Sequence, residues 1–327
     1  MTTARLDLHI ARPLNVSDAI AARRTQPDSQ FIAGGTDLLV NMRHGIKAPN
    51  TLIDLSGIDE MAVIKIGDVG LRIGAGVSIA ALARHAKIAA RYRAIAVAAE
   101  QIAGPGHRAM GTVGGNLCLD TRCIYYNQSE WWRSANKFCL KHGGDTCHVA
   151  PQGQRCHAAF TGDLAPAMLA LGAEVEIANA SGRRRIPLGD MYIEDGRAHL
   201  ALAEDELVVA VLLPPGPPPS TYAKIRVRGA IDYPLAGVAV ALAAADGVVK
   251  ILRIGLTGTN SRPFVLAGTD AIVGRPIDEK ALQEIDRLVQ KQVQPMRTTI
   301  ASAHYRRLAA AALARRLTAA LFANNKA

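Results

Sequence analysis

The feature that most restricts the fold of this chain is a proline-rich run about two-thirds of the way along its 327 residues. Residues 214–220 read Pro-Pro-Gly-Pro-Pro-Pro-Ser. Each proline fixes φ and lacks a backbone N–H, so the run cannot lie inside a helix or in the middle of a sheet. The run therefore predicts a domain boundary, and we place a first domain at residues 1–218 and a second at 219–327.

Hydrophobic patterning predicts strands and helices on both sides of this run. Before it, strand patterns fall at 31–33, 52–53, 71–74, 174–177, 184–187 and 207–213, with two Ala-rich helical patterns between 79 and 102. After it, strand patterns at 223–227, 237–243 and 251–256 precede three helical patterns, of which the last covers 298–322. Strands followed by helices predict an α+β fold for the second domain.

Composition excludes several classes of protein. No apolar run approaches the roughly 18 residues needed to cross a bilayer. The first residues lack the apolar stretch of a secretory signal, so we expect a cytoplasmic protein that binds no membrane. The net charge is +10, but aromatic residues make up 4% and the basic residues are scattered, which argues against nucleic acid binding. A solvated basic surface or an acidic docking partner explains the charge.

Two glycine-rich segments are candidates for cofactor binding. The first is Ile32-Ala33-Gly34-Gly35-Thr36-Asp37, which precedes the apolar stretch that starts at Leu38. The second covers residues 111–117, Gly-Thr-Val-Gly-Gly-Asn-Leu. Paired glycines let successive backbone N–H groups converge on an anion such as a pyrophosphate. Neither segment fits a known nucleotide fingerprint, so the residues predict only two turns that could bind one extended anionic cofactor.

Further segments occur in the order expected of one known family. They are Gly162-Asp163-Leu164-Ala165-Pro166, Glu206-Leu207-Val208-Val209, Tyr222-Ala223-Lys224 with Arg228 and Asp232, and Tyr305-Arg306-Arg307. With the two glycine turns, this ordered set resembles the FAD-binding subunit of the xanthine dehydrogenase and carbon monoxide dehydrogenase family, the molybdenum hydroxylases. The resemblance covers nearly the whole chain. One departure is the segment 108–110, Arg-Ala-Met, where the family more often has Arg-Asn, so contacts there are not carried over.

The resemblance implies a fold and a set of cofactor contacts. It implies a vanillyl-alcohol-oxidase-like (PCMH-type) FAD-binding domain in two lobes, about 1–56 and 57–218, followed by a smaller α+β domain of the CO dehydrogenase flavoprotein type. The residues that it places at FAD are Ile32, Ala33, Gly34, Gly35, Thr36, Asp37, Leu38, Ile102, Thr112, Gly114, Gly115, Asn116, Asp163, Val208 and Lys224. No nucleophile–base set for hydrolysis is present in the sequence, so we assign no catalytic residue.

All five cysteines lie between positions 118 and 156. Four of them, Cys123, Cys139, Cys147 and Cys156, are spaced C-x15-C-x7-C-x8-C. Four thiolates can hold either a [4Fe–4S] cluster or zinc, and the spacing does not decide between the two. Three cysteines with one of the histidines at 142, 148 and 157 are a further possible zinc site. A flavoprotein that moves single electrons gains from a cluster, so we expect [4Fe–4S], and we interpret Cys118 as a packed residue outside the set.

The cysteines define an insertion at about 118–159 that the family does not usually carry. Its segments 123–129, Cys-Ile-Tyr-Tyr-Asn-Gln-Ser, and 131–133, Trp-Trp-Arg, resemble the insertion of the 4-hydroxybenzoyl-CoA reductases, an iron–sulfur-containing branch of the family. The aromatic residues either shield a cluster from water or form a small core of the insertion.

The same branch implies a set of partners and a direction of electron flow. The partners are a large molybdenum-cofactor subunit and a small [2Fe–2S] subunit in a heterohexamer, with reduced ferredoxin as the electron donor. Two alternatives stay open. One is the flavin subunit of an oxidising xanthine, aldehyde or CO dehydrogenase, and the other is a zinc-stapled binding module without redox activity.

Overall fold

The structure is a computed structural model that describes residues 8–324. The first lobe contains a parallel three-stranded sheet in the order β1-β3-β2. Its elements are β1 (His9–Ala11), α1 (Val16–Thr25), β2 (Ser29–Ile32), α2 (Leu38–Arg43) and β3 (Thr51–Asp54). Helix α1 begins where the Asn15 side chain accepts a hydrogen bond from the Asp18 N–H at 2.9 Å, a regular N-cap.

The second lobe is built on an antiparallel five-stranded sheet in the order β4-β5-β8-β6-β7. Its elements are β4 (Ile64–Gly67), β5 (Gly70–Gly74), α3 (Ile79–Arg84), α4 (Ala86–Arg91), α5 (Arg93–Gln101), α6 (Pro105–Met110), α7 (Val113–Leu117), α8 (Glu130–Ala135), α9 (Leu164–Ala170), β6 (Glu174–Asn179), β7 (Gly182–Pro187) and β8 (Leu207–Leu213). The pattern at 79–102 forms three helices rather than the two expected. The break expected near residue 90 falls at Tyr92, whose buried hydroxyl donates to the Pro214 carbonyl at 2.9 Å, and the additional break falls at His85, where the backbone is extended.

The C-terminal domain has an antiparallel four-stranded sheet in the order β12-β11-β10-β9. Its elements are β9 (Ser220–Ile225), β10 (Ala236–Ala245), β11 (Val248–Thr257), β12 (Phe264–Val265), α10 (Glu279–Gln292) and α11 (Ala303–Asn324). The expected α+β class is confirmed, but the three helical patterns are two α-helices and one 3-10 turn, Thr269–Ile272. Helix α11 begins later than expected because residues 298–301 form a turn in which Thr298 Oγ1 accepts from the Ala301 N–H.

No helix within residues 8–324 is long and apolar enough to cross a membrane.

The proline run joins β8 to β9, yet the two domains share a buried face. Alternate residues of β10 point to opposite sides of the sheet. Ala239 and Ala241 belong to the core of the N-terminal domain, whereas Val238 and Val240 pack with α10 and α11 in a second core. The small side chains face the N-terminal domain and bring the sheet close to it. The linker therefore separates two sheets but not two independent units.

The closest approach between the domains depends on a glycine. Helix α9 of the N-terminal domain packs on β10 and β11 of the C-terminal sheet. A Cβ at Gly255 in β11 would overlap the backbone carbonyl of Pro166 in α9. Because both groups belong to backbone inside packed elements, neither can move aside cheaply.

We expect Gly255→Ala to lower the free energy of unfolding by about 1–3 kcal/mol, the usual range for overpacking a buried contact. Chemical denaturation of the purified chain measures this. Gly67→Ala is the matched control because Gly67 lies in exposed strand β4 with no atom near its missing Cβ. Equal stability of the two variants would contradict the packing described for α9 and β11.

Candidate cofactor sites

A cleft of about 830 Å³ lies between the two lobes of the FAD-binding domain. This volume is within the usual range for pockets that bind small ligands and cofactors. Every residue that the sequence placed at FAD lines the cleft except Lys224. The structure thus brings together the β2–α2 turn, the α7 segment, Asp163 at the start of α9 and Val208 on β8.

The first glycine turn offers free donors to this cleft. Within the described residues, the backbone N–H groups of Gly34, Gly35 and Thr36 have no protein acceptor. The turn also packs closely on the second glycine segment, since a Cβ at Gly34 would overlap the Met110 carbonyl. The absence of a side chain at residue 34 therefore sets how closely the two segments approach, and the free N–H groups suit an anion such as pyrophosphate.

The second glycine segment differs from the turn that the sequence predicts. Residues 113–117 form the short helix α7, with Thr112 as its N-cap and the Gly115 N–H donating to Thr112 Oγ1 at 3.1 Å. The Gly114 N–H donates to the Ala75 carbonyl at 2.7 Å. Asn116 Oδ1 accepts from the Leu164 N–H at 3.1 Å. The Gly114 and Gly115 N–H groups and Asn116 Oδ1 are therefore hydrogen-bonded within the protein. This segment shapes the cleft, whereas the first turn supplies free donors.

Asp163 is buried at the junction of the cleft and the C-terminal sheet. Its carboxylate accepts hydrogen bonds from the Tyr222 hydroxyl and from Lys224 Nζ, the latter at 3.1 Å. The Lys224 side chain is fully buried and does not line the cleft. Burial raises the pKa of Asp163, and the charge of Lys224 opposes the rise. Lys224 thus contacts the Asp163 carboxylate and helps to orient it, and its contact with FAD stays a prediction.

Three buried polar atoms in the cleft belong to residues that were not predicted from the sequence. Asn41 Oδ1, Thr161 Oγ1 and His199 Nε2 line it without a hydrogen-bond partner among the described residues. Buried polar atoms normally have partners, so these three are candidates to bind a ligand. Thr161 could have been predicted, because it directly precedes the segment that contains Asp163. His199 lies in a loop that carries no motif, and nothing in the sequence marks it.

The four spaced cysteines line one small cavity inside the insertion. Cys123, Cys139, Cys147 and Cys156 all border it, and Cys118 does not, because it lines the FAD cleft. The cavity has a volume of only about 10 Å³. Within residues 8–324, no three His, Cys, Asp or Glu side chains form a group that could hold a metal ion. The insertion therefore brings the four thiols to one place without forming a finished metal site.

Hydrogen bonding already distinguishes two of these thiols. The interaction between the Cys147 and Cys156 sulfurs lowers the pKa of Cys147 and raises that of Cys156. Of the nearby histidines, only His148 borders the cavity, and its Nε2 lies 2.7 Å from the Phe138 carbonyl. A three-cysteine, one-histidine zinc site would have to use the other ring nitrogen.

The tryptophans of the insertion do not shield this cavity. Trp131 is 76% exposed, and Trp132 packs against Tyr125 with ring centroids 6.2 Å apart. Tyr125 and Tyr126 border the cavity instead. Shielding by aromatic residues therefore falls to the tyrosines of the 123–129 segment, and the interpretation of Trp131 as a shield is wrong in this structure.

The insertion is fixed to both domains. Its base is closed by paired backbone hydrogen bonds between Arg122 and Ala159, both 2.8 Å long. Arg133 is buried and donates to the His44 and Gly45 carbonyls at 2.9 and 3.2 Å, beside the end of α2. On the other side, Ser261 Oγ of the C-terminal domain donates to the Cys156 carbonyl at 3.1 Å. The cysteines therefore have a fixed position relative to the cleft.

Comparison with known proteins identifies the class. A family model described as the FAD binding domain in molybdopterin dehydrogenase matches residues 6–216, and one described as the CO dehydrogenase flavoprotein C-terminal domain matches residues 220–321. The first alone covers more than half of the chain. The chain therefore belongs to the FAD-binding medium subunits of the molybdenum hydroxylase family.

Individual relatives agree with this assignment. The FAD-binding subunit PaoB of the Escherichia coli aldehyde oxidoreductase is 36% identical over 265 residues, which are 77% of this chain and 81% of PaoB. The carbon monoxide dehydrogenase medium chain of Afipia carboxidovorans is 27% identical over 319 residues, 97% of this chain and 96% of that one. A crystal structure of Cu,Mo-CO dehydrogenase superimposes with a TM-score of 0.79 at 26% identity, covering 97% of this chain and 98% of the other.

We expect Gly34→Ala to prevent FAD binding, because the new Cβ forces the first glycine turn away from Met110. Flavin absorbance of the purified chain measures bound FAD, and circular dichroism checks the fold. Gly106→Ala is the control, since Gly106 lies in neighbouring helix α6 with open space at its missing Cβ. Normal FAD content in Gly34→Ala would show that the cofactor does not need the close approach of the two segments.

The stability of the FAD-free chain should fall between pH 6.5 and pH 4 because of His199. Burial lowers the pKa of His199 to about 4, below its ordinary value of 6.5. The unfolded state then binds a proton that the folded state rejects, so this stabilisation is complete above pH 6.5 and is lost as pH falls to 4.

The loss attributable to His199 is on the order of 3 kcal/mol. We expect His199→Gln to remove this part of the pH dependence in urea unfolding at a series of pH values, and exposed His304→Gln to leave it in place. Identical pH profiles for His199→Gln and the parent would contradict the buried, neutral histidine.

Proposed function

We propose that this chain is an electron-transfer subunit that holds FAD in the cleft and a [4Fe–4S] cluster in the insertion. The observation that carries the proposal is the convergence of four cysteine thiols on one cavity, in an insertion fixed beside a cleft of FAD-binding type. The family assignment supports FAD. The cluster rests on the cysteines of this chain.

The residues present in the cleft suit FAD. The free N–H groups of Gly34, Gly35 and Thr36 match a pyrophosphate, and Asn41, Thr161 and His199 offer unpartnered polar atoms for the rest of the molecule. Bound FAD accepts electrons in pairs and releases them singly, so it can link a two-electron carrier to a one-electron carrier. Val208 and the other sequence-assigned lining residues are proposed contacts on the same basis.

The cluster is proposed ahead of zinc because of the chemistry of four cysteine ligands in a flavin-binding electron-transfer chain. Each thiolate of an all-cysteine cluster binds a different iron, so the ligands surround a space and need not meet at one atom. All four spaced cysteines border a common cavity, and Tyr125 and Tyr126 border it beside them. Loading requires the side chains to move apart, since the cavity is about 10 Å³.

For the complete enzyme we propose reductive removal of the phenolic hydroxyl of 4-hydroxybenzoyl-CoA in the cytoplasm. An electron pair and a pair of protons convert this thioester to benzoyl-CoA, and the hydroxyl leaves as water. The chemistry takes place on a large molybdenum-cofactor subunit, and a small subunit carries [2Fe–2S] clusters. This chain passes electrons from reduced ferredoxin towards them in a heterohexamer. The support is the likeness of segments 123–129 and 131–133 to the reductase insertion.

An oxidising enzyme is the second candidate, and a specific observation favours it. The relative at 36% identity is named a subunit of an aldehyde oxidoreductase, and others are named for xanthine and carbon monoxide dehydrogenases. In that case electrons pass outwards through this chain to an acceptor. Turnover of the intact complex separates the two: ferredoxin-driven benzoyl-CoA formation supports the reductase, and aldehyde-driven reduction of an acceptor without that activity overturns it.

We expect Cys139→Ser to abolish both the iron content and the ferredoxin-linked reduction of the complex while FAD stays bound. Cys139 is buried at the cysteine cavity and does not line the FAD cleft, so this variant should lose the cluster and keep FAD. Iron and sulfide analysis with flavin absorbance measures both.

Cys118→Ser is the matched control for this experiment, because Cys118 lies outside the cysteine cavity and should leave the iron content unchanged. Full iron content and unchanged electron transfer in Cys139→Ser would contradict the assignment of this residue as a ligand.

A further inference from the structure

Polar residues connect the lining of the cysteine cavity to the lining of the FAD cleft. We call Asp120, Thr121, Tyr126 and Lys141 the dividing wall. Lys141 and Tyr126 border the cysteine cavity, whereas Asp120 borders the FAD cleft. The Asp120 N–H also donates to Asp37 Oδ2 at 3.2 Å, which connects the wall to the first glycine turn.

The centre of the dividing wall is a buried ion pair. Lys141 Nζ lies 2.6 Å from Asp120 Oδ1, and the two side chains are only 5% and 18% exposed. Lys141 also donates to the Thr121 carbonyl at 3.1 Å, and its Nζ lies 4.3 Å from the centre of the Tyr126 ring. The Tyr126 hydroxyl donates to Asp120 Oδ2 at 3.1 Å. The ammonium group is therefore held in one position beside the cysteines.

Stability alone gives a weak reason for such a pair. Removing two charges from water is unfavourable, and apolar side chains of similar volume often replace a buried ion pair without loss of stability. The position of the ammonium group is more informative than the strength of the ion pair. Lys141 borders the cavity where four thiolates would concentrate negative charge, and its charge acts on Cys156 there, whereas Asp120, which balances it, borders the cleft.

We propose that Lys141 is a positioning residue that raises the reduction potential of the group held by the four cysteines. An iron–sulfur centre gains negative charge on reduction, and its potential depends on nearby charge, hydrogen bonding and exposure to solvent. A fixed, poorly solvated cation stabilises the reduced form. Asp120 opposes this effect from behind Lys141. The inference rests on the proposed function, since it requires a cluster in the insertion.

Paired variants of opposite sign test the inference. The full chain, purified without air, is titrated potentiometrically while the iron–sulfur signal is followed by electron paramagnetic resonance. Lys141→Met removes the cation and should shift the midpoint potential to more negative values. Asp120→Asn leaves the cation without its counter-charge and should shift the midpoint to more positive values. If Lys141→Met loses its iron, the shift of the midpoint potential in Asp120→Asn decides whether the inference holds.

Lys137→Met is the matched control, because Lys137 lies in the same insertion but is exposed, so solvent screens its charge. It should leave the midpoint unchanged. An unchanged midpoint in iron-loaded Asp120→Asn and Lys141→Met would overturn the role of Lys141 and leave the cluster assignment standing. A parent chain without iron and sulfide would overturn the proposed function and this inference together.

Discussion

The buried carboxylate of Asp163 is the interaction on which the arrangement of the two domains depends. It begins α9, borders the FAD cleft and accepts hydrogen bonds from Tyr222 and Lys224 on the first strand of the C-terminal sheet. Because a buried charge without its partner costs about 3–5 kcal/mol, the sheet must stay against the FAD-binding domain for the carboxylate to remain satisfied. The close contact of Gly255 with Pro166 follows from the same packing.

Much of this fold could be predicted from the sequence, and the errors have physical causes. The strand 207–213 was placed correctly because its run of apolar residues reflects burial on both faces. The proline run lies between β8 and β9, as expected of residues that cannot join a sheet, and the domain boundary placed there stays a prediction. The run could not show that alternate residues of strand β10 pack into two different hydrophobic cores. The small residues Ala239 and Ala241 alternate with Val238 and Val240, a pattern that already indicates one face in close contact with another element.

The cofactor sites were predictable to the extent that they depend on local motifs. The first glycine turn and Asp163 are marked by short segments, and the structure places both in the cleft. His199 and Asn41 reach it from segments without a motif, so only the tertiary fold reveals them. The FAD contact predicted for Lys224 rests on a family segment, and its ion pair with Asp163 could not be predicted because it depends on side-chain burial that the sequence does not encode locally.

We propose that one chain holds two redox groups, one in the cleft and one in the insertion. The most direct test is the flavin, iron, acid-labile sulfide and zinc content of the full chain purified without air. The account predicts one FAD with about four iron atoms and about four sulfides per chain, and no stoichiometric zinc. One zinc per chain without sulfide would contradict it, and would show that the four cysteines hold the insertion together without carrying electrons.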